Sequence, residues 1–135
     1  MAKKIVEIEG IGPKYAEALS VASVLTTEQL LSMGSSKTGR KALAEKSGIS
    51  ESLILKWVNM ADLFRIKGVA GQFAELLHAA GVDTVKEMRT RNGDNLAKKM
   101  AEVNAEMKLT RAVPSAKVVE GWIAQAVELP PMVTH

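Results

Sequence analysis

Apolar residues recur at three- and four-residue spacing along most of this chain, in short stretches separated by glycine, serine, threonine and asparagine. This spacing is typical of short amphipathic helices, and the separating residues favour turns and helix caps. Sustained alternation of apolar and polar residues is scarce, and aromatic residues make up only 4% of the chain, so a β-sheet has little support. We therefore predict an all-α fold, with helices near residues 13–22, 27–33, 39–47, 51–64, 72–80, 85–91, 94–107 and 115–128.

An internal repeat organises these helices. When Gly10 is aligned with Gly68, the stretch 8–19 falls on 66–77. Both stretches are interpreted as a glycine hairpin followed by a helix. Because one copy is too small to bury its apolar faces alone, we expect the two copies to pack around a shared core with pseudo-two-fold symmetry.

The alignment extends beyond the glycines. Capping boxes, which mark helix starts, keep the same register in both copies. They are formed by Thr26 with Gln29 and by Thr84 with Glu87. Trp57 and Trp122 also correspond if the second copy contains seven extra residues between its capping box and its tryptophan. Both tryptophans are predicted to be core residues. We therefore predict one compact unit made of repeats 1–65 and 66–129, with 130–135 as a short tail.

Composition narrows the classes of protein to consider. The chain has 135 residues, of which 47% are hydrophobic and 24% charged, as in an ordinary soluble protein. It has no cysteine and two histidines, which excludes a disulfide scaffold and leaves little for a metal site. No apolar run is long enough for a membrane span. We expect a cytoplasmic protein with no cofactor and no membrane contact.

The glycine hairpins carry a resemblance. The first copy reads Ile8-x-Gly10-Ile11-Gly12-x-x-x-Ala16-x-x-Leu19, and the second reads Ile66-x-Gly68-Val69-Ala70-x-x-x-Ala74-x-x-Leu77. Both are similar to the signature of the helix-hairpin-helix family, and the phrase Ala80-Gly81-Val82-x-Thr84-Val85 extends the likeness. The doubled pattern also resembles small bacterial tandem helix-hairpin-helix proteins of unknown function. The second copy departs from the signature by placing Ala70 where a glycine belongs, with Gly71 one position later.

The resemblance implies a function. In that family the hairpin binds the sugar–phosphate backbone of double-stranded DNA without sequence preference, and some hairpins also hold a monovalent cation. A glycine turn that leads into a helix offers free N–H groups to a phosphate. In the first copy the implied contacts are Gly10, Ile11, Gly12 and Lys14. In the second copy they are Lys67, Gly68, Val69, Ala70, Gly71 and Gln72, where Gln72 replaces the lysine.

Basic residues concentrate outside the hairpins. The net charge of the chain is +3. Residues 3–17 contribute no net charge, because they contain three lysines and three glutamates. One basic segment contains Lys37, Arg40, Lys41 and Lys46, and the other contains Lys86, Arg89, Arg91, Lys98 and Lys99. These segments are either ordinary solvated helix faces or a surface that steers phosphate toward the hairpins.

A second resemblance overlaps the first repeat. Residues 40–59 look like a helix-turn-helix, in which the second helix reads bases in the major groove. Its outward residues would be Ser50, Glu51, Ser52, Leu55 and Lys56, a poor set for base contacts. The alternative is that two angled helices joined at Gly48 simply pack the core.

No enzyme chemistry emerges from the residues. His78 is the only histidine inside the chain, so no catalytic triad can be assembled, and phosphate-loop and dinucleotide motifs are absent. We predict a protein that is not an enzyme and has no small-molecule substrate. Two partners stay open: double-stranded DNA, bound non-specifically, or a partner protein docked on the same hairpins in an interaction or assembly module.

Overall fold

The computed structural model describes residues 3–135 and is all-helical over that range, with eight α-helices, one 3₁₀ turn at Ile5–Glu7 and no strand. The predicted all-α class is therefore confirmed. The helices are α1 (Pro13–Val21), α2 (Thr27–Gly34), α3 (Lys37–Ser47), α4 (Glu51–Leu63), α5 (Gly71–Ala79), α6 (Val85–Met88), α7 (Gly93–Met107) and α8 (Ala116–Glu128). No helix within residues 3–135 combines the length and the apolar character needed to cross a bilayer.

One predicted helix was too long. We expected residues 85–91, but α6 ends at Met88. The Thr90 hydroxyl donates to the carbonyl of Glu87 at 2.8 Å, and the Thr90 N–H turns back to the same carbonyl at 3.1 Å. That carbonyl would otherwise accept the next helical bond, so the local hydroxyl ends the helix.

The chain divides into two compact units. Unit 1 consists of the described residues up to Asp62 together with Met132–His135, and unit 2 is Leu63–Pro131.

In unit 1, α3 packs against α1 and α2. The apolar stripes of the helices supply a hydrophobic core in which each residue is at most 8% exposed. Its large members are Ile8, Leu19, Leu30, Leu43, Ile54 and Trp57. Each helix thus buries the face that the sequence pattern assigns to it.

In unit 2, α7 packs against α5 and α8, and α8 also packs against α6. The hydrophobic core residues here are at most 9% exposed. They include Leu77, Val85, Met88, Met100 and Trp122. The prediction that Trp57 and Trp122 are core residues is confirmed in both units.

Arg40 is a buried charge in unit 1, with 4% of its surface exposed. Its guanidinium donates to the carbonyls of Gly34 at 2.9 Å, Ser35 at 3.1 Å and Thr134 at 2.7 Å. The first two carbonyls lie at the C-terminal end of α2, where helical partners run out. Burial lowers the pKa of Arg40, while the carboxylate of Glu51 raises it. The group stays charged, because arginine keeps its proton in proteins.

The C-terminal residues complete this arrangement. The Thr134 N–H donates to the Ser35 carbonyl at 2.8 Å, and Val133 is buried. Arg40 therefore bonds the carbonyl of Thr134, and Ser35 accepts its N–H. These bonds fix residues 132–135 to the turn between α2 and α3.

We expect Arg40→Met to lower the free energy of unfolding by about 3 kcal/mol, because it leaves buried carbonyls without a charged donor. Arg40→Lys should recover little of this, since an ammonium cannot span three acceptors with the geometry of a planar fork. Urea unfolding followed by circular dichroism measures both effects. The exposed neighbour Lys41→Met is the control and should change stability by less than about 0.5 kcal/mol. Equal effects of the Arg40→Met and Lys41→Met substitutions would contradict a structural role for Arg40.

Candidate functional site

The first glycine turn comprises residues 8–12 and precedes α1. Gly10 has φ +96°, a conformation that a side chain penalises. The Ile11 N–H donates to the Ile8 carbonyl at 3.1 Å, and both isoleucine side chains are buried. Gly10 and Gly12 are exposed. The turn is thus anchored by its apolar residues, and its glycine backbone faces solvent.

Trp57 holds this turn from inside unit 1. A Cβ placed on Gly10 would lie 3.6 Å from Nε1 of Trp57, so the indole edge occupies the space beside the glycine. The ring of Tyr15 packs edge-on against Trp57, with the ring centroids 5.0 Å apart. Edge-to-face pairs of this kind add to the stabilisation from burial. The tryptophan therefore couples α4 to the turn and to the first turns of α1.

Helix α1 begins without a side-chain cap. Gly12 is the N-cap residue, with φ −87°, and it has no side chain with which to bond the N–H groups of the first turn. Pro13 occupies the first helical position, where its missing N–H costs nothing. Lys14 follows and is exposed. This start presents N–H groups, the positive end of the helix and one cation at the same surface.

The second glycine turn, residues 66–70, has the same local contacts inside unit 2. Gly68 has φ +95°, and the Val69 N–H donates to the Ile66 carbonyl at 3.2 Å. A Cβ on Gly68 would lie 3.1 Å from Nε1 of Trp122. Phe73 packs against that indole with ring centroids 5.5 Å apart. The glycine, the tryptophan and the second aromatic residue thus recur as a set.

Helix α5 also begins without a side-chain cap, at Ala70. Gly71 is the first helical residue, and the exposed Gln72 follows in the position that Lys14 has in α1. Ala70, in place of glycine, has φ −100° and is therefore unstrained. The departure from the signature leaves the backbone of this turn unchanged.

Gln125 distinguishes the second turn from the first. Its side chain accepts from the Lys67 N–H at 2.8 Å and donates to the Lys67 carbonyl at 3.1 Å. The exposed Lys67 side chain stays at the surface, but its backbone is already bonded. No sequence pattern signals this contact, because the two residues are far apart along the chain.

The basic residues fall into two groups. The exposed group includes Lys14, Lys37, Lys41 and Lys67. Four of the five arginines instead bond carbonyls within their own unit, and Arg40 is one of them. The other pairs are Arg65 to Pro130 at 2.6 Å, Arg89 to Val127 at 2.9 Å and Arg91 to Gly81 at 2.8 Å. Arg91 also forms an ion pair with Glu87 at 2.9 Å. Arg40 was predicted to contact phosphate, but its guanidinium points into the protein.

Residues 40–59, which resemble a helix-turn-helix, span α3, a left-handed Gly48 with φ +75°, and α4. Leu43, Ile49 and Ile54 are buried in unit 1. Other residues of α3 and α4, together with His135, line a cleft of about 170 Å³. It is lined by Lys37, Arg40, Glu51, Ser52, Leu55 and His135. The helix pair thus contributes to the core, and its outward residues line a small cleft.

Titratable groups do not gather into a metal site. Within residues 3–135, no group of three histidine, aspartate or glutamate side chains is placed to hold an ion. His78 is half-buried near the end of α5, and its Nδ1 is buried without a hydrogen-bond partner in the described chain.

Comparison with known proteins gives one match. A family model described as a domain of unknown function (DUF4332) matches residues 9–129. No curated protein and no solved structure matches this chain.

We expect Gly68→Ala to lower the free energy of unfolding by about 1–2 kcal/mol from the positive φ alone. Contact of the new methyl group with Trp122 adds to this. Gly10→Ala should cost less, because Trp57 leaves more room. Gly12→Ala is the matched control, with an ordinary φ and nothing within 4 Å, and should lower stability by less than about 1 kcal/mol, the cost of replacing glycine by alanine at an N-cap. Thermal unfolding measures the series, and a Gly12→Ala loss as large as that of Gly68→Ala would contradict this reading.

Proposed function

The chain belongs to this family of unknown function, and we propose from its own geometry that it binds the backbone of double-stranded DNA without sequence preference. Each unit has its own candidate backbone-binding site, formed by the glycine turn and the uncapped start of the helix that follows it, α1 in unit 1 and α5 in unit 2. The observation that carries the proposal is the exposed start of α1, where the glycine backbone, the free end of a helix and Lys14 meet.

We further propose that the two turns are the hairpins of two helix-hairpin-helix repeats. The paired contacts support this, because Gly10 with Trp57 and Gly68 with Trp122 have the same backbone geometry. The long helices that carry the tryptophans also start alike. Ser50 accepts the N–H of Leu53, and Ser115 accepts the N–H of Val118, both at 3.3 Å.

A phosphate oxygen suits the start of α1 for two reasons. The N–H groups of a first helical turn have no partner within the helix, and a charged acceptor bonds them more strongly than a neutral one does. The aligned peptide dipoles also place a partial positive charge at this end. Because neither reason involves a base, the interface holds the DNA backbone and carries no sequence information.

The second turn contributes less. Gln125 already bonds the Lys67 backbone, and Gln72 stands where the first turn has a lysine. Since four of the five arginines donate to carbonyls within their own unit, lysines supply the charge beside the glycine turns. Lys14 and Lys67 flank the turns, and Lys37 and Lys41 add exposed charge on α3. We leave Arg40 out of the interface because its donors are buried.

The Gly12→Asp variant distinguishes an effect on DNA binding from an effect on stability. A carboxylate at the N-cap bonds the N–H groups of α1 and should raise stability by a few tenths of a kcal/mol. It also repels phosphate, so we expect duplex affinity to fall by about tenfold or more, which corresponds to about 1.4 kcal/mol. Fluorescence anisotropy with a labelled random-sequence duplex and a thermal melt measure both quantities.

The matched variant in the second turn is Ala70→Asp, which should stabilise α5 by about 1 kcal/mol, because alanine is a poor cap. Its effect on DNA affinity should be smaller than that of Gly12→Asp. Unchanged duplex affinity in both variants would overturn the proposal.

Salt dependence tests the electrostatic part of the interface. If about three phosphates are neutralised, affinity should fall by about 40-fold between about 50 and about 200 mM salt. Lys14→Glu should weaken binding more than Lys46→Glu, which changes the net charge equally on an exposed lysine of α3. Equal losses in the two variants would show that binding reflects net charge and not the turn.

A second candidate function is docking of a partner protein on unit 1. Val6, Val21 and Leu25 are 49%, 73% and 59% exposed. The Ile5 N–H donates to the Leu25 carbonyl at 3.1 Å, so Val6 and Leu25 lie on neighbouring segments. Val21→Ser combined with Leu25→Ser should leave duplex affinity unchanged if DNA is the partner. If the wild-type chain binds no duplex but captures a protein from a cell extract and the double variant does not, docking is the function.

A further inference from the structure

The α7–α8 surface is defined by exposed residues from the last residue of α7, through the connecting turn, to the first turn of α8, and it has no part in the proposed DNA interface. It consists of three cationic and three apolar exposed residues. The cations are Lys108, Arg111 and Lys117, and the apolar residues are Met107, Val113 and Val118. Glu106 and Glu120, both exposed, bracket this segment, and residues 107–119 between them contain no aspartate or glutamate. The three cations therefore outnumber the two acidic residues, and the net charge over 106–120 is +1.

The turn that carries this surface is held in one shape. The Asn104 side chain, in the last turn of α7, bonds both backbone groups of Thr110, donating to its carbonyl at 3.0 Å and accepting its N–H at 2.9 Å. The Thr110 hydroxyl donates to the Ala112 carbonyl at 2.8 Å. Lys108 adopts a left-handed conformation that ends α7. Because Asn104 is buried, the turn is fixed to the unit before any partner arrives.

Arg111 differs from the other arginines of the chain. Arg40, Arg65, Arg89 and Arg91 donate to backbone carbonyls, whereas Arg111 is exposed and has no hydrogen-bond partner among residues 3–135. An arginine offers a planar pair of donors that fits a carboxylate. Its guanidinium is therefore available to an acidic group from outside.

The apolar residues decide what kind of partner fits. Met107, Val113 and Val118 are 54%, 38% and 45% exposed, and each lies within two positions of one of the cations along the chain. A phosphate backbone leaves such side chains without a counterpart, and a lipid surface is usually engaged with aromatic residues, of which residues 107–119 have none. A peptide that alternates acidic and apolar side chains satisfies both halves of the surface.

We propose that the α7–α8 surface binds a segment of a partner protein that carries both acidic and apolar side chains. Carboxylates of the segment pair with Arg111, Lys108 and Lys117, and its apolar residues cover Met107, Val113 and Val118. The fixed turn reduces the entropy lost on binding, which favours a short segment. This interaction is independent of the glycine turns.

The test uses the full chain and a fluorescein-labelled synthetic peptide of repeating Glu-Leu-Leu-Glu. We expect binding, with amide chemical-shift changes concentrated in residues 107–118. Arg111→Glu should weaken binding by about tenfold. Lys98→Glu, the same charge change on an exposed lysine of α7 outside the surface, should stay within about twofold. A Glu-Ser-Ser-Glu peptide of equal charge should bind more weakly than the leucine peptide.

Asn104→Ala examines the role of the turn without changing charge or exposed apolar residues. It should speed hydrogen exchange at the Thr110 amide and weaken peptide binding by about threefold. Absence of peptide binding, equal binding of the serine peptide, or shift changes at the glycine turns would overturn the proposal. So would a loss of duplex affinity in Arg111→Glu without any peptide binding, because the surface would then belong to the DNA interface.

Discussion

In each unit a tryptophan on the last long helix lies against a glycine that has positive φ, and the arrangement of the turn follows from this contact. Positive φ favours glycine at both positions. The indole of Trp122 also crowds the space that a Cβ on Gly68 would need, whereas a Cβ on Gly10 would make ordinary contact with Trp57. The tryptophans are 2% and 4% exposed and lie in their cores. The direction in which α1 and α5 leave their turns is therefore set by residues that lie far along the chain.

The use of arginine is a second organising feature. A guanidinium presents several donors in a plane and can satisfy more than one carbonyl at a helix end or turn. Arg40 bonds three carbonyls in this way, and Arg65, Arg89 and Arg91 each donate to a backbone carbonyl. The positive charge that remains available at the surface is mainly that of lysine. Arg111 is the exception, and it lies on a turn fixed by Asn104.

The two glycine turns have similar backbone conformations, but the polar side chains around them differ. The first has Lys14 beside an uncapped helix start, whereas the second has Gln72 and a backbone bonded by Gln125. Both helix starts lack a side-chain cap, and the start of α1 has a lysine where the start of α5 has a glutamine. The proposed DNA binding therefore relies more on the first turn than on the second.

The sequence by itself determined the helices, because the apolar spacing and the capping residues act locally. Predicted helix positions agree with the structure within a few residues at most ends. The glycine signature located both turns, and the matched tryptophans were correctly expected in the core. These features depend on residue type and on spacing along the chain, which a sequence displays directly.

Tertiary structure alone decided which polar groups face solvent. The sequence places Arg40 in a basic segment and predicts a surface cation. In the structure its guanidinium instead bonds carbonyls of α2 and of the C-terminal residues. Gln125 and Asn104 carry no signal in the sequence, and each fixes a turn through contacts that form only when helices pack. A side chain that bonds a backbone group does so according to distance in space. Spacing along the chain predicts elements for this reason, and it does not predict which donors those elements leave free.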